Sequence, residues 1–246
     1  MRRLMLRVAY DGTLYHGWAF QEGQKTVAGT VTAAINELTG EEVELEGASR
    51  TDAGVHALMN IAVFDTASSI PPDKFGAALN TKLPEDIVIR SSEEVAPDFS
   101  IRKAQTEKTY VYSILNSDFA DPLKRLYTYQ VRYSLDVDKM YEAAQYLVGK
   151  HDFKSFCSVH TQALTTLREI TGISAVREGE LIKIRVSGYG FLYNMVRIIS
   201  GTLIEVGRGR LEPEDIPGIL SECDRSAAGP TAPPQGLLLE KIRIIA

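Results

Sequence analysis

The first hundred residues change hydrophobic period in a fixed order, and that order narrows the fold more than anything else in the chain. Leu4, Leu6, Val8 and Tyr10 recur at every second position, which puts them on one face of a strand. Thr26 is placed to cap a helix that carries Val27, Val31, Ala34, Ile35 and Leu38 at helical spacing, with Gly40 to end it. Glu42-Val43-Glu44-Leu45-Glu46 alternates again as a half-buried strand should, and Met59 to Phe64 is apolar enough for a strand covered on both faces. Pro71-Pro72-Asp73 starts a second helix with Phe75, Ala78 and Leu79 inward, and a strand follows near Ile87 to Arg90. Strand, helix, strand, strand, helix, strand is the order of a ferredoxin-like half. A first domain is therefore expected over residues 1–104, ending in a crossover from Phe99 to Ala104.

The second half, residues 105–246, mixes the same elements. A strand is expected from Lys108 to Asn116, with Lys108, Tyr110, Tyr112 and Ile114 on one face, then a helix from Asp136 to Gly149. Thr165–Val176 and Leu181–Val186 read as a hairpin, and the next helix carries Met195, Ile198, Ile199, Thr202, Leu203 and Val206. A short helix opens at Pro213-Glu214-Asp215, and Leu238 to Ile244 reads as a closing strand. The class is α+β. Gly188-Tyr189-Gly190 invites a dinucleotide reading, but the third glycine is missing and the strand before it belongs to a hairpin, so that reading is rejected.

Composition bounds the partners. No apolar run approaches the roughly 20 residues that span a bilayer, and Met1-Arg2-Arg3 runs straight into strand-like sequence, so neither a membrane anchor nor a signal peptide is expected. Cys157 and Cys223 stand alone, and His151 and His160 lack a third ligand at suitable spacing, so no metal site is expected. A net charge of -5 argues mildly against nucleic acid. Its distribution matters more: acids cluster at Glu41 to Glu46, while Arg102, Lys103 and Lys108, then Lys124, Arg125 and Arg132, form basic groups.

Two places carry chemistry. The stretch Gly47 to Ala57 is a loop of small residues between two strands, with Arg50 and Asp52 two positions apart. Small residues let a backbone approach another group closely, although Asp52 and Gly54 are also what an ordinary turn uses. Arg197 lies in a helix buried over much of its surface, where a guanidinium is costly unless an anion pairs with it.

The whole string Arg50-Thr51-Asp52-Ala53-Gly54-Val55-His56-Ala57 resembles the signature of the tRNA pseudouridine synthase A family. Further blocks resemble the family in order: Tyr10-Asp11-Gly12-Thr13 with His16-Gly17-Trp18, Lys108-Thr109-Tyr110-Val111-Tyr112, Asp152-Phe153-Lys154-Ser155-Phe156, Phe191 to Arg197, and the loop ending in Gly236-Leu237. The resemblance implies two ferredoxin-like halves joined into one central, mostly antiparallel sheet, with helices on one side and an RNA-binding cleft on the other. It implies that Asp52 is the nucleophile, that Tyr110 contacts the target uracil, that Arg197 lies against the catalytic acid and that Leu237 lines the uracil pocket. Arg50 is expected to fill the space of the flipped nucleotide and hold a phosphate, and the Tyr15 to Trp18 segment to border the RNA. The bacterial family isomerises uridines at positions 38, 39 and 40 of the tRNA anticodon stem-loop as a homodimer; that reaction needs no cofactor, and the lone cysteines and lack of a signal peptide fit a cytoplasmic protein. This chain departs from the pattern at Ser49, where glycine is frequent, and at Tyr193-Asn194, which replace the more usual histidines. The competing readings are a synthase with other tRNA targets, a non-catalytic RNA-binding protein on the same halves, and a small-molecule enzyme that the negative charge would suit.

Overall fold

A computed structural model describes residues 1–245. The chain divides into two compact units, one of residues 1–105 with the segment from Leu239 onward, the other Thr106–Leu238.

In the first unit β1 (Arg2–Tyr10) is followed by α1 (Val27–Thr39), β2 (Glu46–Gly47), β3 (His56–Thr66), α2 (Pro72–Asn80) and β4 (Ile87–Val95). β1 lies between β3 and β4, antiparallel to both, and β2 pairs antiparallel with β3. The order β4-β1-β3-β2 is that of a ferredoxin-like sheet. Thr26 caps α1 by accepting from the Gly29 amide, and Gly40 ends it with φ +71, as expected from their positions. Leu4, Leu6, Val8, Ile35, Phe64 and Phe75 form the core between sheet and helices.

The expected strand over Glu42 to Glu46 shrinks to Glu46–Gly47. The reason is competition for its polar groups. The Val43 amide donates to Asn36 Oδ1 at the end of α1, and the Glu41 carboxylate accepts from the Ala67 amide beyond β3. Those bonds tie the segment to neighbours other than a strand ladder.

Glu46 instead closes the crossover after β4. Its Oε1 accepts from Ser100 Oγ (2.6 Å) and the Arg102 amide (2.7 Å), and its Oε2 from Arg3 Nη2 (2.9 Å). Burial pushes this carboxyl up, but the bonds from Ser100 and Arg102, with the Arg102 and Arg3 charges, outweigh burial and hold it below the usual range. A depressed carboxylate stabilises the fold above its unfolded value of 4.5 and loses that contribution as pH falls through the folded value. We therefore expect Glu46→Ala to cost about 2 kcal/mol at neutral pH, because three donors lose their acceptor. Urea titrations should show the gap from wild type closing in acid; a gap independent of pH would contradict this account.

The second unit contains β5 (Thr106–Asn116), β6 (Tyr129–Val131), α3 (Val137–Gln145), β7 (Gly149–Asp152), β8 (Leu167–Glu178), β9 (Leu181–Tyr189), α4 (Met195–Gly207) and α5 (Asp215–Glu222). Its strands run in the order β5-β9-β8-β7, antiparallel throughout, with β6 added parallel to β5. α3 ends at Gln145, four residues before the expected Gly149: the Leu147 and Val148 amides donate to the Ala144 and Gln145 carbonyls in tight i→i+3 turns, and Gly149 at φ +106 then starts β7. Leu147 is nevertheless buried as the helical spacing implied. β8 and β9 form the expected hairpin, with Gly179 at φ +62 in its turn.

The last strand, β10 (Leu237–Ile244), lies beside β3. The expected second half runs over 105–246, whereas the compact-unit division groups Leu239 to Ile244 of β10 with the first unit.

Candidate active site

The loop from Ala48 to Val55 is held mainly through its backbone. Its first amide, Ala48, donates to the Ile61 carbonyl (2.8 Å). In the middle, the Thr51 carbonyl accepts from the Trp18 amide (3.0 Å), and near the end the Gly54 amide donates to the Tyr15 carbonyl (3.2 Å). Asp52 accepts from the Val55 amide through its own carbonyl (3.1 Å), with Gly54 at φ +75 in the third position of the turn. A type II turn demands a positive φ there, so the turn reading of this stretch is correct for Gly54. Ser49 and Thr51 are buried, Arg50 is exposed and Asp52 is half-buried. Burial alternates along Ser49, Arg50 and Thr51, which sends Arg50 outward and leaves Asp52 at the head of the turn.

The segment carrying Tyr15, Gly17 and Trp18 is the other wall of this loop. Gly17 has φ +84, and a Cβ built there would stand 2.5 Å from the Thr51 carbonyl oxygen. The Trp18 indole is buried, 5.8 Å from the Tyr10 ring between centroids, and Gly47 fits against it. Packing, the ordinary role of a tryptophan, is thus what Trp18 does. Beyond it, the buried His56 takes the Gly12 amide at Nδ1 (3.0 Å), with Asp11 Oδ1 at 3.1 Å from the same nitrogen.

One residue that the sequence pattern hides, Asn60, completes the mount. Asn60, fully buried in β3, donates from Nδ2 to the Ser49 carbonyl (2.9 Å) and to the Tyr10 hydroxyl (3.3 Å). Tyr10 in turn lies 2.6 Å from Thr51 Oγ1. A signal was present: an Asn inside an otherwise apolar strand must find partners when buried.

The second unit holds Tyr110, Arg197 and Leu237 on one interlocked assembly. Tyr110 sits in β5 opposite Val186 of β9, nearly buried, with its ring edge-on to Phe191 at 5.0 Å and 78°. Arg197 is in the first turn of α4, where every residue except Arg197 and Glu205 is buried. Its guanidinium donates through Nε to the Ala232 carbonyl and through Nη1 to Asn194 Oδ1, both at 2.8 Å. Those bonds fix the direction of a half-buried cation that would otherwise be costly.

The loop from Gly229 to Leu237 is locked to both elements. Gly229 donates to Thr202 Oγ1 (3.0 Å), Ala232 donates to the Arg197 carbonyl (3.1 Å), and Gly201 packs where a side chain would strike the Pro230 carbonyl. The Tyr112 hydroxyl, two residues from Tyr110, donates to the Pro233 carbonyl (2.8 Å). Burial pushes that phenol well above its ordinary value, with the Arg197 charge pulling the other way. Leu237, buried, begins β10 directly after the Pro234–Gly236 turn. Of the sequence-derived residues, Arg50 and Asp52 share the loop of the first unit, while Tyr110, Arg197 and Leu237 share this assembly in the second.

His151 and His160, weighed above as metal ligands, differ in their surroundings. His151 Nε2 meets the Val148 carbonyl at 3.0 Å and its ring stands edge-on to Phe153 at 5.8 Å. His160 is exposed in the loop after Cys157. No helix among the described residues is long and apolar enough to cross a membrane.

Comparison with known proteins adds an independent line. A family model described as tRNA pseudouridine synthase matches residues 7–102 and 143–243. The tRNA pseudouridine synthase A of Caldicellulosiruptor bescii is 50% identical over 97% of this chain and 98% of its own. That of Acetivibrio thermocellus is 50% identical over 98% of this chain and 99% of its own. The protein called tRNA pseudouridine synthase A 2 in Clostridium tetani is 51% identical over 98% of both chains.

Proposed function

The chain belongs to the tRNA pseudouridine synthase family, and from that premise we propose that it converts uridine to pseudouridine at positions 38, 39 and 40 of the anticodon stem-loop, with Asp52 as nucleophile. It is an isomerase acting on tRNA. The reaction breaks the bond between N1 and C1′, turns the uracil, joins C5 to C1′, removes the C5 proton and leaves a proton on N1, so that the product is an isomer of the substrate. It needs a nucleophile and a pocket that keeps the detached base.

The observation that carries the proposal is the mounting of Asp52: a half-buried carboxylate at the head of a turn whose neighbours are pinned by main-chain bonds. A nucleophile gains from being held still before the substrate arrives. In this reading Arg197 favours the ionised form of Asp52, since an opposite charge stabilises a carboxylate. Tyr110 stacks on the extruded base, a contact worth about 1–3 kcal/mol, against a flipping cost of a few kcal/mol. Leu237 closes the apolar side of the base pocket, and the exposed Arg50 holds a phosphate. One site serving three adjacent positions calls for docking by RNA shape and backbone, with little base reading. The working form in this reading is a cytoplasmic homodimer.

The deciding experiment maps pseudouridine at single-nucleotide resolution on an unmodified tRNA transcript incubated with the protein. Conversion at 38, 39 and 40 is expected. Conversion confined to other positions would move the target, and binding with no conversion anywhere would favour the non-catalytic RNA-binding reading.

A further inference from the structure

The polar groups behind the Asp52 loop form one connected relay. The Ile61 amide donates to Asn60 Oδ1 (2.9 Å), which fixes which way the Asn60 amide faces. Both Nδ2 contacts are then donations, one to the Ser49 carbonyl and one to the Tyr10 oxygen. The Tyr10 oxygen, accepting from Asn60, also shares a hydrogen bond with Thr51 Oγ1 at 2.6 Å, in which either hydroxyl can donate. Every member is buried: Asn60 is 0%, Tyr10 5%, Ser49 4% and Thr51 7% exposed.

A buried hydroxyl at the end of β1 hydrogen-bonded to a buried carboxamide in β3 gains little net stability over an apolar pair of the same shape, so what the pair adds is the placing of the groups it holds. What these bonds hold is the backbone of Ser49 and the side chain of Thr51, the residues just before Asp52. Trp18 holds the Thr51 carbonyl from the other side. The loop is thus gripped at Ser49 and Thr51, on alternate residues, so that rotation about its long axis is blocked one residue before the carboxylate.

We propose that Tyr10 and Asn60 are positioning residues for the isomerisation: they act through Thr51 and Ser49 to set the aim of Asp52 and touch neither uracil nor phosphate. The inference rests on the reading of Asp52 as nucleophile. The two fail differently, because loss of that reading leaves Asp52→Asn active, whereas loss of this one leaves Asp52→Asn inactive and the relay variants unimpaired.

Single-turnover conversion of tRNA should be measured for Tyr10→Phe, Thr51→Val and Thr51→Ser, with tRNA affinity and melting recorded for each. Tyr10→Phe and Thr51→Val should lose about 10- to 100-fold in rate, the scale on which a displacement near 1 Å acts, with the tRNA dissociation constant unchanged. Thr51→Ser, which keeps the hydroxyl, should recover most of the rate. A purely structural role would instead lower the rate only in proportion to the unfolded fraction, and the loss would vanish on cooling to where each variant is fully folded. That outcome, or equal rates for Thr51→Val and Thr51→Ser, overturns the proposal.

Discussion

Asp52→Asn should stop uridine conversion while leaving tRNA binding in place. The substitution keeps the shape of the side chain and removes its charge and nucleophilicity. It should not release the loop, because the bonds from Ile61, Trp18, Tyr15 and Val55 all run to main-chain atoms. Losing a covalent catalyst typically costs about 10⁴-fold or more, so single-turnover assays should show no product on the time scale of the wild-type reaction. Filter binding or gel shift at fixed low salt should return the wild-type affinity, since the contacts that dominate RNA binding are to phosphates and depend on cations. A variant that still makes pseudouridine would remove Asp52 from the mechanism. A variant that neither converts nor binds would mean that the acid supports the RNA surface instead.

Gly12→Ala should be among the most damaging single changes in the first unit. A Cβ at Gly12 would overlap the Val55 carbonyl, lying 2.6 Å from its carbon and 3.1 Å from the Val55 nitrogen. The obstruction is backbone, so no rotamer change relieves it, and the cost belongs at the upper end for overpacking, about 3 kcal/mol. The Gly12 amide bond to His56 (3.0 Å) would stretch as the strands part. For a chain of this length that corresponds to a fall of roughly 6–12 °C in Tm. Gly40→Ala is the control: it also replaces a glycine of the first unit, at φ +71, but meets nothing within 4 Å. It should lose only about 1 kcal/mol, the conformational penalty at a helix end. Equal melting temperatures for the two variants would show that close approach at Gly12 is not what the fold depends on.

Local patterns written into single segments were readable from sequence. Thr26 and Gly40 bound α1 because capping needs only a side-chain oxygen and a left-handed residue within a few positions. The strand face of Leu4, Leu6, Val8 and Tyr10 and the apolar β3 follow equally directly from spacing. What escaped was decided by partners outside the segment concerned. Glu42 to Leu45 alternates like a strand, yet Val43 and the neighbouring Glu41 bond to Asn36 and Ala67. β6, three residues long, has no periodicity to detect and exists because β5 offers it an edge. At the site, the loop and its Asp were visible as a string of small residues, while Tyr10 and Asn60 looked like ordinary strand positions. Only the folded chain brings Tyr10 and Thr51, 41 residues apart, to within a hydrogen bond.

The place of the final strand has a consequence for synthesis. Residues 1–105 leave the ribosome long before the segment from Leu239 onward, which is nevertheless part of the same unit and lies next to β3. Until then β3 offers open amides and carbonyls along the side that β10 will take, and an open strand edge is where nascent chains pair wrongly. The half that carries Asp52 is thus begun first and finished last. Shortened products of interrupted translation should be sticky intermediates rather than small working enzymes.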